Sequence, residues 1–105
     1  MTIAVHVVNT PKSDVREAYE MAWRRIDEQG LRHPKGRQSH TAWVVDNVLH
    51  VVDVWDSEDN MNDWMQTLGP FLEGSNMELA GPPEVGEVLQ VVRPDGGGAS
   101  AEPAD

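Results

Sequence analysis

The segment from residue 40 to residue 55 constrains the fold more than any other part of this 105-residue chain. Two mainly apolar runs, His40–Val45 and Val48–Trp55, flank the dipeptide Asp46-Asn47. Asp and Asn both tolerate positive φ, so the dipeptide predicts a two-residue turn and an antiparallel β-hairpin. Such a short turn also fixes the register of the hairpin, because only one pairing lets the two strands meet at the turn.

The register predicts which side chains share a face of the hairpin. One face carries Thr41, Trp43, Val45, Val48, His50, Val52 and Val54, and the other carries His40, Ala42, Val44, Leu49, Val51, Asp53 and Trp55. Both faces are largely apolar, so both must be covered. We expect helices on the face where His40 is opposite Asp53. We expect a second copy of the chain on the face where Trp43 is opposite His50.

A strand and a helix precede the hairpin in the predicted order of elements. Ile3–Val8 is rich in β-branched residues and is predicted as a central strand. Thr10 or Ser13 can cap the following helix, which is expected to end at Gly30. Its apolar stripe consists of Val15, Ala18, Tyr19, Ala22 and Ile26. Trp23 lies off this stripe, which makes it an exposed residue, part of an association surface, or a sign that the buried face is drawn wrongly.

A second helix and a last strand follow the hairpin. Ser57 is the predicted N-cap, and the inward stripe of this helix consists of Met61, Trp64, Met65 and Leu68. We expect Gly69-Pro70 to break the helix, because proline lacks the N–H that a helix interior needs. Residues 74–81 are predicted as a loop, and Val85–Val92 as the last strand.

The order strand, helix, strand, strand, helix, strand predicts an α+β fold of the ferredoxin-like βαββαβ type. In this fold two helices lie on one face of a four-stranded antiparallel sheet. Residues 1–93 are expected to form this single domain. Residues 94–105 consist of Gly, Pro, Ala, Ser and acidic residues, and we predict a flexible acidic tail there.

The charge distribution argues against nucleic acid and membranes as partners. The net charge is -10, whereas both of these partners reward a basic surface. Seven of the eight basic residues precede residue 38, and no Lys or Arg lies between residues 38 and 92. An anionic ligand would therefore need its counter-charge from segment 24–37 or from a protonated histidine. The basic segment 30–39 is predicted as a loop that could fold over the mouth of a pocket.

The absence of cysteine excludes several kinds of chemistry at once. Disulfides, thiolate metal sites and thiol nucleophiles are all ruled out. The sequence also contains no apolar run long enough for a membrane span and no signal peptide pattern, so we expect a cytoplasmic protein.

Residues 55–65, WDSEDNMNDWM, resemble the dimeric α/β barrel superfamily. The resemblance lies in a strand that ends in Trp55, an acid-Ser-acid group around Ser57, and an aromatic residue, Trp64, in the helix. Small members include antibiotic-biosynthesis monooxygenase-like proteins, haem-degrading monooxygenases and many uncharacterised bacterial proteins, and the hairpin looks closest to the uncharacterised group. The resemblance implies a ferredoxin-like homodimer, and it leaves the function open because this superfamily hosts many reactions.

The resemblance also implies what individual positions do. Trp64 matches the tryptophan that lines the substrate pocket of haem-degrading members, and Asn9 loosely matches their pocket asparagine. Gly74 stands where those proteins have their proximal histidine, and no histidine follows His50. We therefore expect no haem bound in the manner of that family. A pocket between the sheet and the helices is implied instead, as in cofactor-free members.

His40 and Asp53 are the strongest candidates for chemistry. A carboxylate bonded to one ring nitrogen fixes the tautomer of the imidazole and leaves the other nitrogen to move a proton. The alternative is a structural pair that is merely buried. His6, on the central strand, is either a second polar contact to a ligand or a histidine of the core. His50 is predicted to point to the face opposite His40, so too few histidines converge for a metal site.

We predict a small cofactor-independent enzyme, a monooxygenase, isomerase or cyclase. It would abstract a proton from an apolar metabolite of aromatic or polyketide-like character, with histidine assistance. The predicted catalytic residues are His40, Asp53 and His6, and the predicted substrate-binding residues are Trp55, Trp64, Met61, Tyr19 and Asn9. The alternative function is a non-catalytic ligand-binding or stress-related dimer, in which the same aromatic residues serve as ordinary core.

Overall fold

The computed structural model describes residues 1–11, 13–73, 77–92 and 98–100. The elements in these ranges are β1 (Ile3–Pro11), α1 (Val15–Glu28), β2 (Arg37–Val45), β3 (Val48–Trp55), α2 (Glu58–Glu73), β4 (Met77–Leu79), β5 (Glu84–Glu87), β6 (Gln90–Val92) and β7 (Gly98–Ser100). The main sheet is antiparallel and has the order β2, β3, β1, with β4 and β5 sharing the place beyond β1. This is the predicted ferredoxin-like α+β arrangement.

The hairpin of β2 and β3 has the register that the two-residue turn predicts. His40 pairs with Asp53, Trp43 pairs with His50, and Val45 pairs with Val48 next to the turn. Asp46 and Asn47 have φ values of 49° and 61°, so both turn residues adopt the left-handed conformation of a type I′ turn. The side chain of Asn47 also fastens the turn to α1, because its Oδ1 accepts the Val15 N–H at 2.9 Å.

The two helices cover the hairpin face that carries His40 and Asp53. Leu49 and Trp55, from the same face, are buried, and so is the apolar stripe of α1 except for Tyr19, which is partly buried. The core cluster consists of Ile3, Val5, Ile26, Trp55, Met61 and Trp64. Removing this much apolar surface from water is the main stabilising contribution in a domain of this size. The predicted assignment of the helix-covered face is confirmed.

Helix α1 has a different N-cap from the two residues that the sequence suggested, Thr10 and Ser13. The N-cap is Asp14, whose Oδ1 accepts the backbone N–H groups of Arg16 at 2.9 Å and Glu17 at 3.2 Å. The predictions of Thr10 and Ser13 were therefore wrong. An aspartate adds a negative charge at the positive end of the helix dipole, which a hydroxyl cap does not supply.

Helix α2 begins as predicted but does not end where proline was expected to break it. Ser57 caps the helix by accepting the Asn60 N–H at 3.2 Å. The helix then continues through Pro70 to Glu73. Proline removes one backbone hydrogen bond, but Leu68 and Phe71 both pack against the core, and their burial favours continuation. Within the described residues, no helix is both long and apolar enough to cross a membrane.

The predicted last strand, Val85–Val92, is wrong as a single element. Strand β1 extends to Pro11 and offers a long edge, along which β5 pairs with residues 3–6 and β4 with residues 9–11. Gly81-Pro82-Pro83 separates these two short strands, and proline cannot donate to a ladder. Strand β6 pairs instead with β7 in a separate ribbon. Strand β7 falls in the predicted tail, whose other residues lie outside the described ranges.

Candidate functional site

A cavity of about 380 Å³ lies between the sheet and the helices. Its apolar lining includes Val7, Ala22, Ile26, Leu49, Val51 and Leu68. Its polar lining consists of Asn9, Tyr19, Arg37, His40 and Asp53. A concave, mostly apolar space with a few convergent polar groups is the usual form of a small-molecule site.

Tyr19, His40 and Asp53 form one hydrogen-bonded chain at the edge of this cavity. His40 Nδ1 lies 2.5 Å from Asp53 Oδ1, and His40 Nε2 lies 2.8 Å from the phenol oxygen of Tyr19. An ionised carboxylate can only accept, so Nδ1 carries the proton and donates it to Asp53. Nε2 of the neutral ring is then an acceptor, and Tyr19 donates to it. Both ring nitrogens of His40 are therefore occupied.

The surroundings of Tyr19 keep its phenol protonated. Burial raises the pKa of Tyr19, and the Asp53 carboxylate raises it further, while Trp23 and Arg37 oppose the rise. The phenol is thus a hydrogen-bond donor at neutral pH. Its ring stacks parallel to that of His40, with 6.3 Å between the ring centroids, and Trp23 meets the His40 ring edge-on at 5.1 Å.

Arg37 brings a cation into this apolar setting. Its side chain is 8% exposed, and Nη1 lies 3.9 Å from Asp53 Oδ2. The guanidinium lies over two indole rings, 5.5 Å from the centroid of Trp23 and 5.4 Å from that of Trp64. Desolvation by burial lowers the pKa of Arg37, and Asp53 and Tyr19 counteract this effect. Arginine nevertheless stays charged in proteins, so a permanent positive charge borders the cavity.

An irregular strand start places Arg37 at the site. The sequence predicted a loop up to residue 39, whereas β2 begins at Arg37 and its register shifts between Arg37 and Ser39. The preceding Gly36 has φ +87° and packs close to Asp56 and Asn60, where a Cβ would not fit. Glycine is needed both for this backbone conformation and for the close approach.

A second, more open cleft of about 660 Å³ adjoins the cavity. Four side chains line both spaces and form a dividing wall between them, namely Tyr19, Trp23, Arg37 and His40. The remaining lining of the outer cleft is polar and consists of Glu20, Arg24, Asp27, Arg32, His33, Gln38 and Ser39. The site thus has an apolar inner part and a charged outer part, separated by aromatic and cationic side chains.

The structure brings most of the predicted site residues together. Tyr19, His40, Asp53, Asn9 and Trp64 all line the inner cavity. Asn9 is 6% exposed and lines the cavity, so its side-chain amide borders the space that a ligand would fill. The two other predicted substrate-binding residues, Trp55 and Met61, belong to the core cluster and do not line the cavity.

His6, which was predicted either as a catalytic residue in contact with the ligand or as a histidine of the core, does not line the inner cavity. His6 pairs with Val52, so its side chain lies on the face opposite the cavity. There its Nε2 lies 3.2 Å from His50 Nδ1, and both rings stack on Trp43. The pairing between β1 and β3 is not fixed by a turn, and a shift of one residue would have exposed His6 to the other face.

Trp23 and Arg37 were not predicted as site residues. Trp23 was set aside because it lies off the apolar stripe of α1, although a tryptophan beside the stripe is well placed to line a cavity at the helix edge. Arg37 was counted among the basic residues near a pocket mouth, but its burial could not be foreseen. For Trp23 the available signal was a large aromatic residue off the apolar stripe of its helix. For Arg37 the sequence contained no signal beyond its place in the basic segment 30–39.

The described residues contain no cluster of three or more His, Asp or Glu side chains that could hold a metal ion. Gly74, which the sequence resemblance set against the proximal histidine of haem-degrading proteins, lies outside the described residues. The expectation that haem is not bound in that manner therefore stays a prediction.

Comparisons with known proteins identify the fold. No family model matches the chain, and no curated protein matches it either. Among solved structures, "protein YJCS" has a TM-score of 0.64 at 10% identity, over 84% of this chain and 99% of that one. A "putative antibiotic biosynthesis monooxygenase" from Deinococcus radiodurans has a TM-score of 0.59 at 12% identity, over 89% and 97%. A protein of the same name from Chloroflexus aurantiacus has 0.56 at 12% identity, over 82% and 91%.

These likenesses, together with the topology, define the class of the chain at the level of fold. It has the ferredoxin-like α+β fold that the antibiotic-biosynthesis monooxygenase-like structures share. At such low identity the likeness carries no substrate and no mechanism, so the function must be argued from the site itself.

Proposed function

We propose that this protein is a small cofactor-independent enzyme that abstracts a proton from an apolar, aromatic or polyketide-like metabolite. The observation that carries the proposal is the Tyr19–His40–Asp53 chain, which lies at the edge of an apolar cavity. A positioned base whose partner is oriented by a third group is the general form of an acid-base site.

Tyr19 is the end of the chain that meets the ligand. Its phenol oxygen accepts a proton from an acidic C–H or O–H of the ligand while its own proton moves to His40 Nε2. The imidazolium that forms keeps its Nδ1–H bond to Asp53, and the carboxylate stabilises the new positive charge. The role first predicted for His40 is thereby extended, because a ligand reaches the base through Tyr19.

The lining of the cavity fits a planar ligand that becomes a stabilised carbanion. Trp64 and Trp23 offer flat apolar surfaces, and the amide of Asn9 can donate to a carbonyl oxygen that gains charge. The names of the structurally similar proteins favour O₂ as the next reactant. In that case a CH₂ group becomes a carbonyl, one oxygen atom enters the product and the other leaves as water.

Deuterium exchange tests the proton abstraction without knowledge of the later steps. The protein is incubated in D₂O with a panel of anthrones, naphthols and 1,3-diketones, and deuterium uptake at carbon is followed by NMR. We expect the protein to accelerate exchange for at least one compound. Tyr19→Phe, His40→Gln and Asp53→Asn should each lower the rate by about 10²-fold or more. Asp63→Asn, a matched change on the exposed side of α2, should not.

Two results would contradict the proposal. One is exchange at the same rate in the parent and in all three variants. The other is binding of compounds without any exchange, which would favour the second candidate, a non-catalytic ligand-binding protein with the same cavity.

We further propose that the protein acts as a homodimer that covers the open face of the sheet. Trp43 and Val45 are 41% and 51% exposed on that face, next to the stacked pair His6 and His50. This continuous apolar and aromatic surface comes from one sheet, so a twofold axis would bring it against itself.

A further inference from the structure

We propose that Arg37 is an anion-binding residue and that the ligand of the inner cavity carries an anionic group, in the simplest case a carboxylate. This inference rests on the proposed function in one respect, namely that the cavity holds a ligand. It goes further because it assigns a binding residue and narrows the ligand from an apolar metabolite to an aromatic or polyketide-like acid.

Arg37 is a restrained cation at the boundary between the inner cavity and the outer cleft. It belongs to the dividing wall and so faces both the inner cavity and the outer cleft. The guanidinium lies over the indoles of Trp23 and Trp64, and its side chain is 8% exposed. A guanidinium restrained by two aromatic contacts loses little freedom when it binds a planar carboxylate.

Among the described residues, most of the N–H donors of Arg37 have no acceptor. A guanidinium has five N–H donors. Nη2 donates to the backbone carbonyl of Arg32 at 2.6 Å, and Nη1 is 3.9 Å from Asp53, which is an ion pair without a hydrogen bond. No other acceptor for this side chain is found among the described residues. Asp53 also bonds to His40, so within the described part of the chain the buried cation has only this shared counter-ion.

A buried charge that shares its counter-ion is unfavourable unless another group supplies further hydrogen bonds or opposite charge. An anionic ligand group would supply that completion, and charge-assisted hydrogen bonds are about twice as strong as neutral ones. The apolar remainder of the ligand would then fill the inner cavity, where Tyr19 and His40 border it.

The outer cleft provides a route for such an anion. Arg24 and Arg32 line it, and Arg32 pairs with Asp27 at 3.4 Å. No ion pair to Arg24 is found within the described part of the chain. The chain as a whole has a net charge of -10, and segment 38–92 has no Lys or Arg. An anion is therefore repelled by most of the surface and attracted to the outer cleft, where three arginines outnumber the two acids Glu20 and Asp27.

Calorimetric titration of matched ligands tests the inference. The panel consists of one- and two-ring aromatic carboxylic acids, each paired with its primary amide, which has a similar shape and no charge. We expect the parent protein to bind acids about tenfold or more tightly than the amides. Arg37→Gln should remove this preference by weakening acid binding alone, and Arg37→Lys should keep part of it. Arg25→Gln, which removes an arginine that lines neither space, should leave the preference intact.

Each alternative result has a distinct meaning. Equal affinities of acid and amide for the parent protein would overturn the role of Arg37, and this comparison needs no variant to fold. Equal weakening of acid and amide by Arg37→Gln would also overturn it, since the residue would then only support the cavity. Failure of every compound to bind would overturn the inference together with the ligand-binding cavity. A clear preference for acids without deuterium exchange would overturn only the enzymatic proposal.

Discussion

The phenol oxygen of Tyr19 lies 2.8 Å from Nε2 of His40 and joins helix α1 to strand β2 across the edge of the inner cavity. The other ring nitrogen of His40 is bonded to Asp53. A base with both nitrogens occupied cannot act on a ligand directly unless a bond breaks. A ligand would therefore exchange its proton with Tyr19, and the protonation state of Tyr19 is the one to measure.

We expect Tyr19 to titrate above the usual range of tyrosine. Burial and the Asp53 carboxylate raise its pKa above the ordinary value of 10.0. Tyr19 is the only tyrosine in the chain, so the tyrosinate absorbance near 295 nm reports this residue alone. The midpoint should exceed 10 in the folded protein and return to about 10 in concentrated urea. Tyr19→Phe supplies the blank, and a folded midpoint at or below 10 would contradict the burial of the phenol.

The same shift predicts how stability depends on pH. The folded state holds the Tyr19 proton at a pH where the unfolded chain has lost it, because the folded-state pKa is the higher one. This contribution is fully present below about pH 10 and is lost as the pH rises through the folded-state pKa. Urea unfolding between pH 9 and pH 11 should therefore show a steeper loss of stability for the parent than for Tyr19→Phe. Parallel curves would be inconsistent with the shift.

Replacement of Asp53 by asparagine should destabilise the protein. The carboxylate is 13% exposed and serves two partners, His40 and Arg37. Without it, Arg37 is a buried cation with no counter-ion among the described residues, and we expect a loss of about 1–3 kcal/mol in urea unfolding. The matched control Asp63→Asn lies on an exposed helix surface and should change stability by less than about 0.5 kcal/mol. Equal effects of the two changes would show that the Asp53 carboxylate has no special partner.

The hairpin could be predicted from the sequence because its register depends on two adjacent residues. Asp46 and Asn47 define the turn, and the pairing of His40 with Asp53 follows from counting along the strands. The helix stripes were predictable for the same reason, since spacing along one helix is a local property. Local rules thus gave the central pair of the candidate site.

Features that depend on distant parts of the chain could not be predicted. The face on which His6 lies depends on the pairing of β1 with β3, which are separated in the chain by α1, a loop and β2. The burial of Arg37 depends on Trp64 from α2 and on Trp23 from α1. The spacing of residues in the sequence does not predict such long-range packing. The position of Arg37 at the site is therefore known only from the tertiary structure.

Gly36 should be the least replaceable of the glycines near the site. A Cβ added there would lie 2.5 Å from Asn60 Nδ2 and 2.9 Å from Asn60 Cβ, and φ is +87°. We expect Gly36→Ala to cost about 2–4 kcal/mol, because strain and overlap add to each other. Gly30→Ala is the control, since Gly30 has φ +70° but nothing within 4 Å of the added atom. It should cost about 1 kcal/mol, from strain alone.

Thermal or urea unfolding measures both glycine variants under the same conditions. A shift of β2 in Gly36→Ala would also move Arg37, so its preference for acids over amides should fall, whereas Gly30→Ala should retain the preference. Equal stability of the two variants would mean that the close approach of Gly36 to Asn60 does not occur in solution.

Association through the open face of the sheet should depend on Trp43. If a second copy covers this face, Trp43→Lys places a charge in the middle of an apolar interface and should convert a dimer into a monomer in sedimentation velocity. Met21→Lys is the matched control, because Met21 on α1 is 42% exposed and Trp43 is 41% exposed. Both changes replace an apolar side chain of similar exposure with lysine, but at different surfaces of the molecule. A parent protein that sediments as a monomer would rule out this face as the interface, and so would a Trp43→Lys variant that stays dimeric. If both variants dissociate, the interface lies elsewhere or association is unspecific.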